Sequence, residues 1–432
     1  MSGPADMRSG GGRISNAFSG MAAMLSKLRV WGLAGVVNYF RRICSNAVMR
    51  RRLIRCANAS VRSSPERGIT VIGDLTGMIS LNKTLRDFIL CLRDAGIPFQ
   101  TFDTRMKPLI PETDARSIVT PPDEFDIGRY SHIVMMYRSP LPADVLPGCR
   151  RGRIVFHDSA HGVHDTTPFL RESGDDIIAM SDFNYEYFRR AFAGQGVHKI
   201  TYPFRFKLRE AVPRETLRAR YGIAPGDFTV FFNFDFGSYY RKNIPAAIRA
   251  FAAACGGDPG AKLMFKTKGA DANRRQAAEM ERLVDRFGVR SQFIHIPHYL
   301  PRAEIDGLTA ACDAYLSLHK SEGFGIGMAE AMSQGKPVVA TAWSANTEFC
   351  LPDTAWCIPY RMVPILPHEY PVEMKEWAEA DVEAAAAALR EIRADPAAAA
   401  ARAARGAEFM KEHFSIARFK ADVDAFLDGR GR

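Results

Sequence analysis

From residue 66 onward, short apolar runs alternate with longer stretches in which apolar residues recur every three or four positions. The short runs predict strands at Thr70–Ile72, Pro98–Phe102, His132–Met136, Arg153–Phe156, Ile177–Met180 and Lys199–Tyr202. Helical periodicity between them is clearest at Leu81–Ala95 and Tyr185–Phe192. A second series repeats the rhythm, with strands at Phe228–Phe234, Lys262–Phe265, Phe293–Ile296, Ala314–Leu318, Val338–Ala340 and Ala355–Ile358. Its helices fall at Ile244–Ala254, Ala272–Phe287, Arg302–Ala311 and Gly327–Gln334. Such alternation predicts an α/β chain with two doubly wound domains, each a mostly parallel sheet covered by helices on both faces. The charged segment Phe204–Ala224, which contains Pro213, reads as the link, so the domains span 66–205 and 206–375. Residues 376–432 are alanine-rich and read as a helical segment with no identifiable chemistry.

Composition is that of an ordinary globular chain, 47% hydrophobic and 25% charged over 432 residues, enough for two or three separate cores. Charge alters this picture at one end. Residues 1–65 hold eleven Lys or Arg against Asp6 alone, which accounts for the whole net charge of +10. Residues 1–20, rich in Gly and Ser, are expected to be disordered. From Met21 to Cys56 apolar residues such as Met24, Leu28, Trp31 and Phe40 recur among arginines, which predicts a basic amphipathic arm. Its uncharged core, Val30–Phe40, is too short to cross a bilayer, which takes about 20 residues. The composition fits a helix lying on an anionic membrane surface, at the inner face of the cytoplasmic membrane. A solvated tail or a helix docked on the protein are the plainer readings. No recognised nucleic-acid module accompanies the charge.

The eight cysteines form no Cys-x-x-Cys and lie mostly in apolar runs, so they are expected to be buried free thiols in a reducing compartment.

Candidate chemistry concentrates in residues 315–350, where an apolar run is followed by a glycine-rich turn, a helix ending at Gly335–Lys336–Pro337, and a second apolar run. Such a βαβ unit presents ligands at the carboxyl ends of its strands. Glu330 lies in the ensuing helix, where a carboxylate can accept both hydroxyls of a ribose diol; a Glu favoured by the helix dipole is the plainer reading. Glu322, before the helix, could grip sugar hydroxyls. Gly323, Phe324 and Gly325 place backbone N–H groups at the helix start, where a diphosphate is favoured. The pattern Gly-x-Gly-x-Gly is not a dinucleotide fingerprint, so NAD is not expected. Arg241 and Lys242 follow a strand and a turn; Lys266 and Lys268 end the next strand, on the same sheet edge. In the first half, Gly77 closes a strand-to-helix turn and His157 ends a strand as Phe156-His157-Asp158. His161 and His164 follow on an irregular loop, which suits a metal site poorly.

From about Phe228 to Asp381 the chain resembles the donor domain of family-4 retaining glycosyltransferases. The matching pieces include Arg241-Lys-Asn243, the Glu-x7-Glu of Glu322–Glu330, Gly335-Lys-Pro-Val-Val339, Trp343-Ser-Ala-Asn346, Pro359–Pro364 and Trp377–Asp381. The run is similar to a subgroup that builds bacterial surface polysaccharides. The resemblance implies the GT-B architecture, two Rossmann-like domains facing a cleft, and a hexosyltransferase independent of metal and cofactor. It implies that Glu330 binds donor ribose, Glu322 the sugar and Lys242 the diphosphate, with His157 near the transferred sugar. The donor would be a GDP- or UDP-sugar, and the acceptor a saccharide or polyprenyl-linked saccharide hydroxyl. The Gly-Arg that commonly precedes the phosphate lysine is absent, so Lys242 is expected to lean on Arg241 or Lys266. The alternatives are a sugar-nucleotide epimerase or phosphorylase on the same fold, or an inactive membrane-associated scaffold.

Overall fold

The computed structural model describes residues 65–75, 80–104, 117–121, 123–136, 150–155, 162–163, 174–202, 204, 212–366, 368–369 and 373–429. The amino-terminal arm, Gly77, His157, His161 and His164 lie outside the described residues.

The chain forms two six-stranded sheets. The first comprises β1 (Glu66–Gly73), β2 (Phe99–Asp103), β3 (Tyr130–Met136), β4 (Arg150–Val155), β6 (Asp176–Ala179) and β7 (Val197–Lys199) in the order β2-β1-β3-β4-β6-β7, every pairing parallel. The short β5 (Gly162–Val163) stands apart from it. Helices α1 (Ser80–Asp94) and α2 (Asp182–Ala191) connect its strands. After α3 (Arg214–Arg220) come β8 (Phe228–Asp235), α4 (Ile244–Cys255), β9 (Ala261–Lys268), α5 (Arg274–Arg286), β10 (Phe293–Ile296), α6 (Arg302–Ala311), β11 (Ala314–Ser317), α7 (Ile326–Ser333), β12 (Val338–Thr341) and β13 (Trp356–Ile358). Their sheet is also parallel throughout, in the order β10-β9-β8-β11-β12-β13. The two doubly wound domains expected from the alternation of elements are thus present. Strand β8, Phe-Thr-Val-Phe-Phe-Asn-Phe-Asp, is apolar on both faces because helices cover both. Phe232, Phe234 and Phe265 meet edge-on or tilted at 5.6–6.3 Å across β8 and β9.

Two segments depart from the sequence reading. Part of the presumed link is the helix α3, started by Pro213 in the position before its first turn and anchored by buried Arg218, which donates to the Ala224, Asp227 and Ala311 carbonyls. The alanine-rich tail opens with a strand rather than a helix. Here β14 (Tyr360–Pro364) pairs antiparallel with β16 (Glu376–Ala380), the short β15 (Glu373–Met374) pairs instead with β5, and Ala378 N–H donates to the Lys320 carbonyl. Helices α8 (Val382–Ala394), α9 (Pro396–His413) and α10 (Ile416–Leu427) follow.

The last three helices close the molecule. Helix α8 packs on α4 and α9 on α7, while α10 returns to the first domain. Phe419 meets Phe88 edge-on at 5.4 Å, and Phe426 lies 5.0 Å from His132 and 5.1 Å from His198. Asp424 pairs with Arg67 at 2.8 Å, and Asp422 accepts the Thr201 N–H at 2.9 Å. Cys91, Cys255, Cys312 and Cys350 are buried and Cys357 half-buried, all as free thiols.

Candidate active site

In the second sheet the strand order reverses between β8 and β11, and the loops leaving those two strands diverge to form a crevice. The β8 loop brings Arg241 and Lys242; the β11 loop brings Glu322 to Gly325. Both Glu322 oxygens are engaged: Lys242 Nζ pairs with Oε1, and Arg241 Nη1 lies 3.3 Å from Oε2. Burial alone would raise the Glu322 pKa, but the two cations overcome it and hold the carboxyl down at about 2. The backbone beneath is fixed with equal care. Glu322 N–H donates to Ser344 Oγ at 2.9 Å, and Ser344 itself adopts φ +72°, a conformation that costs a non-glycine residue. Arg241 donates to the Ser321 carbonyl at 2.9 Å and receives the Lys320 N–H on its own carbonyl at 2.7 Å.

Helix α7 begins in this crevice with no side chain capping it. The amides of Gly323, Phe324 and Gly325 donate to no partner among the described residues. Gly325 sits at φ +93°, where an added Cβ would overlap Met328 Cε. The uncapped turn carries the partial positive charge of a helix start, a few residues from two cations. The Phe324 ring serves a different end. It stacks on Tyr202 of the first domain at 4.3 Å and 14°, and packs on Phe349 and Phe414, so only its amide faces the crevice. The Gly323 carbonyl also reaches across, accepting from Ser181 Oγ at 3.0 Å.

Glu330 lies one turn into α7 and is likewise engaged. Arg302, at the start of α6, places Nη2 2.7 Å from its Oε1, and Lys83 of α1 reaches it from the first domain at 3.1 Å. Burial pushes the Glu330 pKa up, and these cations more than reverse the shift. Lys83 and Arg302 are absent from the sequence reading; the signal was each cation's own aspartate four residues on, Asp87 and Asp306.

Lys266 is not brought into the cluster. Its ammonium donates to the Thr267 carbonyl at 2.9 Å and makes no ion pair among the described residues; burial and Lys268 lower its pKa. Lys268 turns to Asp235 at 3.5 Å. Lys242 therefore leans on Arg241, through their shared Glu322. Behind the crevice lies a cavity of about 530 Å³ lined by Arg249, Lys320, Arg361, Glu369 and Glu379, in which buried Lys320 pairs with Glu379 at 2.9 Å and sits over the Trp377 ring at 4.7 Å. Among the described residues no three His, Cys, Asp or Glu side chains gather as a metal site.

Residues 213–358, which contain every described residue of this cluster but Lys83, match the family model described as Glycosyl transferases group 1. Among curated proteins none matches the chain. Several solved structures share its fold. Anabaena HepE, in complex with UDP and glucose, superposes with a TM-score of 0.61 at 16% identity, over 84% of this chain and 100% of that one. A sucrose-phosphate synthase from Thermosynechococcus elongatus gives 0.60 at 18%, over 84% and 99%. A glycosyltransferase from Rickettsia africae gives 0.62 at 11%, over 84% and 99%. At these identities the likeness establishes the two-domain GT-B architecture.

Proposed function

We propose that this chain, whose residues 213–358 match the glycosyl transferases group 1 model, moves a sugar from a nucleoside-diphosphate sugar to a hydroxyl of a saccharide or lipid-linked saccharide, with the anomeric configuration retained. The observation that carries the reading is the Lys242–Glu322–Arg241 cluster beside the uncapped start of α7, facing the first domain. An arriving diphosphate offers Lys242 and Arg241 a more highly charged partner than one carboxylate. Glu322, released from them, is then placed to accept hydroxyls of the donor sugar, while Glu330 accepts the ribose diol.

In the reaction the bond between the anomeric carbon and the diphosphate oxygen breaks, and the acceptor oxygen bonds to the same face of the sugar. The acceptor proton passes to an oxygen of the leaving diphosphate. Negative charge grows on that diphosphate as the sugar becomes oxocarbenium-like, and Lys242, Arg241 and the amides of Gly323–Gly325 are arranged to meet it. These groups supply positive charge without a divalent cation, which supports a metal-independent reaction. By the family resemblance, His157 would serve near the transferred sugar and Gly77 in donor binding. Closure of the cleft would align acceptor with donor and exclude water. A role in surface polysaccharide synthesis at the cytoplasmic face of the membrane fits the basic arm.

Calorimetric titration with UDP, GDP and ADP, with and without magnesium, tests the reading. One nucleotide is expected to bind saturably and indifferently to magnesium; UDP is the first to try, since HepE holds it. Glu330→Ala should weaken that binding roughly 10- to 100-fold with the fold intact, as expected for losing hydrogen bonds to a charged acceptor. Unchanged affinity in the variant would remove Glu330 from the site, and failure of all three nucleotides would remove the donor assignment.

A further inference from the structure

Glu330 is held from both sides of the cleft by cations that do not depend on it. Lys83 keeps Asp87, one turn along α1, as a second partner, and Asp87 is itself fixed by the Tyr202 hydroxyl at 3.3 Å. Arg302 keeps Asp306 at 2.5 Å, again one turn along its own helix. Either cation can therefore let go of Glu330 without becoming an unpaired charge, unlike the partners of most buried ion pairs. Both cations also crowd one oxygen. Lys83 at 3.1 Å and Arg302 at 2.7 Å are each closest to Oε1.

We propose that Lys83 is an exchangeable counter-ion of Glu330 that sets donor affinity: the ribose diol of the donor and the Lys83 ammonium compete for the same carboxylate, and Lys83 withdraws onto Asp87 when the diol arrives. A diol engages both oxygens of a carboxylate, so one cation must leave Oε1. Arg302 is supplied by the same domain as Glu330 and emerges beside it from α6. Lys83 is supplied by the other domain, on a flexible four-carbon stem with its retreat already in place, so Lys83 is the one displaced. The inference rests on Glu330 being the ribose ligand. It makes Lys83 a positioning residue that keeps the empty carboxylate ionised and aimed, and makes donor binding compete with a cross-domain tie.

The test is calorimetric titration of the full chain and its Lys83→Met and Lys83→Arg variants with UDP, GDP or whichever diphosphate binds, and with the 2′,3′-dideoxy form of the same ligand. Lys83→Met should bind the ribose ligand about fivefold more tightly, as expected for removal of a competitor at the low end of coupling between sites. Its affinity for the dideoxy ligand should be unchanged, and Lys83→Arg should restore the wild-type value. A merely structural role for Lys83 would not distinguish the two ligands. Weaker or unchanged ribose-ligand binding in Lys83→Met overturns the exchange. Should that variant not fold, Lys83→Gln reads the same way. Glu330→Ala separates the two ideas: if it binds the ribose ligand like wild type, the ribose assignment fails and the exchange falls with it. If Glu330→Ala binds weakly while Lys83→Met gains nothing, only the exchange falls.

Discussion

Burial drives two carboxylates at the domain boundary in the same direction, and their neighbours decide where each ends. Glu322 is overruled by Lys242 and Arg241 and stays ionised down to about 2. Its contribution to stability is therefore present above the ordinary value of 4.5 and lost as pH falls toward 2. Glu348, which accepts the Asp182 N–H across the boundary, is pushed up to about 7 by burial and by the Asp182 carboxylate, with Lys199 at 3.6 Å only partly compensating. The sign is reversed: the folded chain holds this proton after the unfolded chain has lost it, so stability falls as pH rises from 4.5 to 7. Glu348→Gln keeps the acceptor for Asp182 N–H and removes the charge. It should raise the melting temperature by roughly 3–6 °C at pH 8 and leave it unchanged near pH 4.5. A gain at pH 4.5 that vanishes at pH 8 would reverse the assignment.

At the scale of the element, the start of α7 offers backbone: Gly323, Phe324 and Gly325 carry amides with no partner among the described residues, one turn before the Glu330 side chain. Gly325 permits the left-handed turn that starts the helix, and Gly327 lies so close to the Tyr315 hydroxyl that a Cβ would overlap it. Gly325→Ala should cost at least about 1 kcal/mol in chemical denaturation and weaken nucleotide binding by more than the stability loss explains. Wild-type nucleotide affinity in a destabilised variant would separate the helix start from the diphosphate. The same element shows what sequence can and cannot reveal. Strand, turn, helix and strand were legible at 315–340 because a parallel sheet buried on both faces writes itself as short apolar runs. Glu322, Lys242 and Arg241 were legible as strand-end residues of one sheet edge. Lys266 misled because β9 carries it inward to its own neighbour's carbonyl, which position on an edge does not disclose. The Phe324 amide was legible at the helix start, but the stacking of its ring on Tyr202 was not, since that depends on how two domains meet. For Lys83 the pair with Asp87 was legible, but its reach to Glu330 was not, because no local pattern tells a helix which carboxylate faces it across a cleft. Tyr360–Pro364 and Glu376–Ala380 were missed as a strand pair because eleven residues separate them and their alternation is weak.

For the molecule as a whole, the neutral body and the basic arm separate cleanly by charge, so they can be tested apart. The body carries every described contact of the candidate site. The arm's basic, amphipathic composition is the basis for proposing an anionic membrane surface as its partner. Deleting residues 1–55 should leave transfer to soluble acceptors intact while sharply weakening binding to liposomes containing anionic lipid, measured by co-sedimentation at low and physiological salt. Equal binding by both proteins would assign the arm to another partner.

The return of α10 to the first domain also has a bearing on synthesis. Phe88 and the ring of His132 lack their cover until residues 416–427 have left the ribosome. More than two hundred residues separate β7 from α10, so at about 5–20 residues per second the first domain waits on the order of ten to forty seconds with an apolar face open. Apolar surface left open for that long is the kind that holding chaperones cover. A ribosome that stalls within the second domain would leave the first one unfinished.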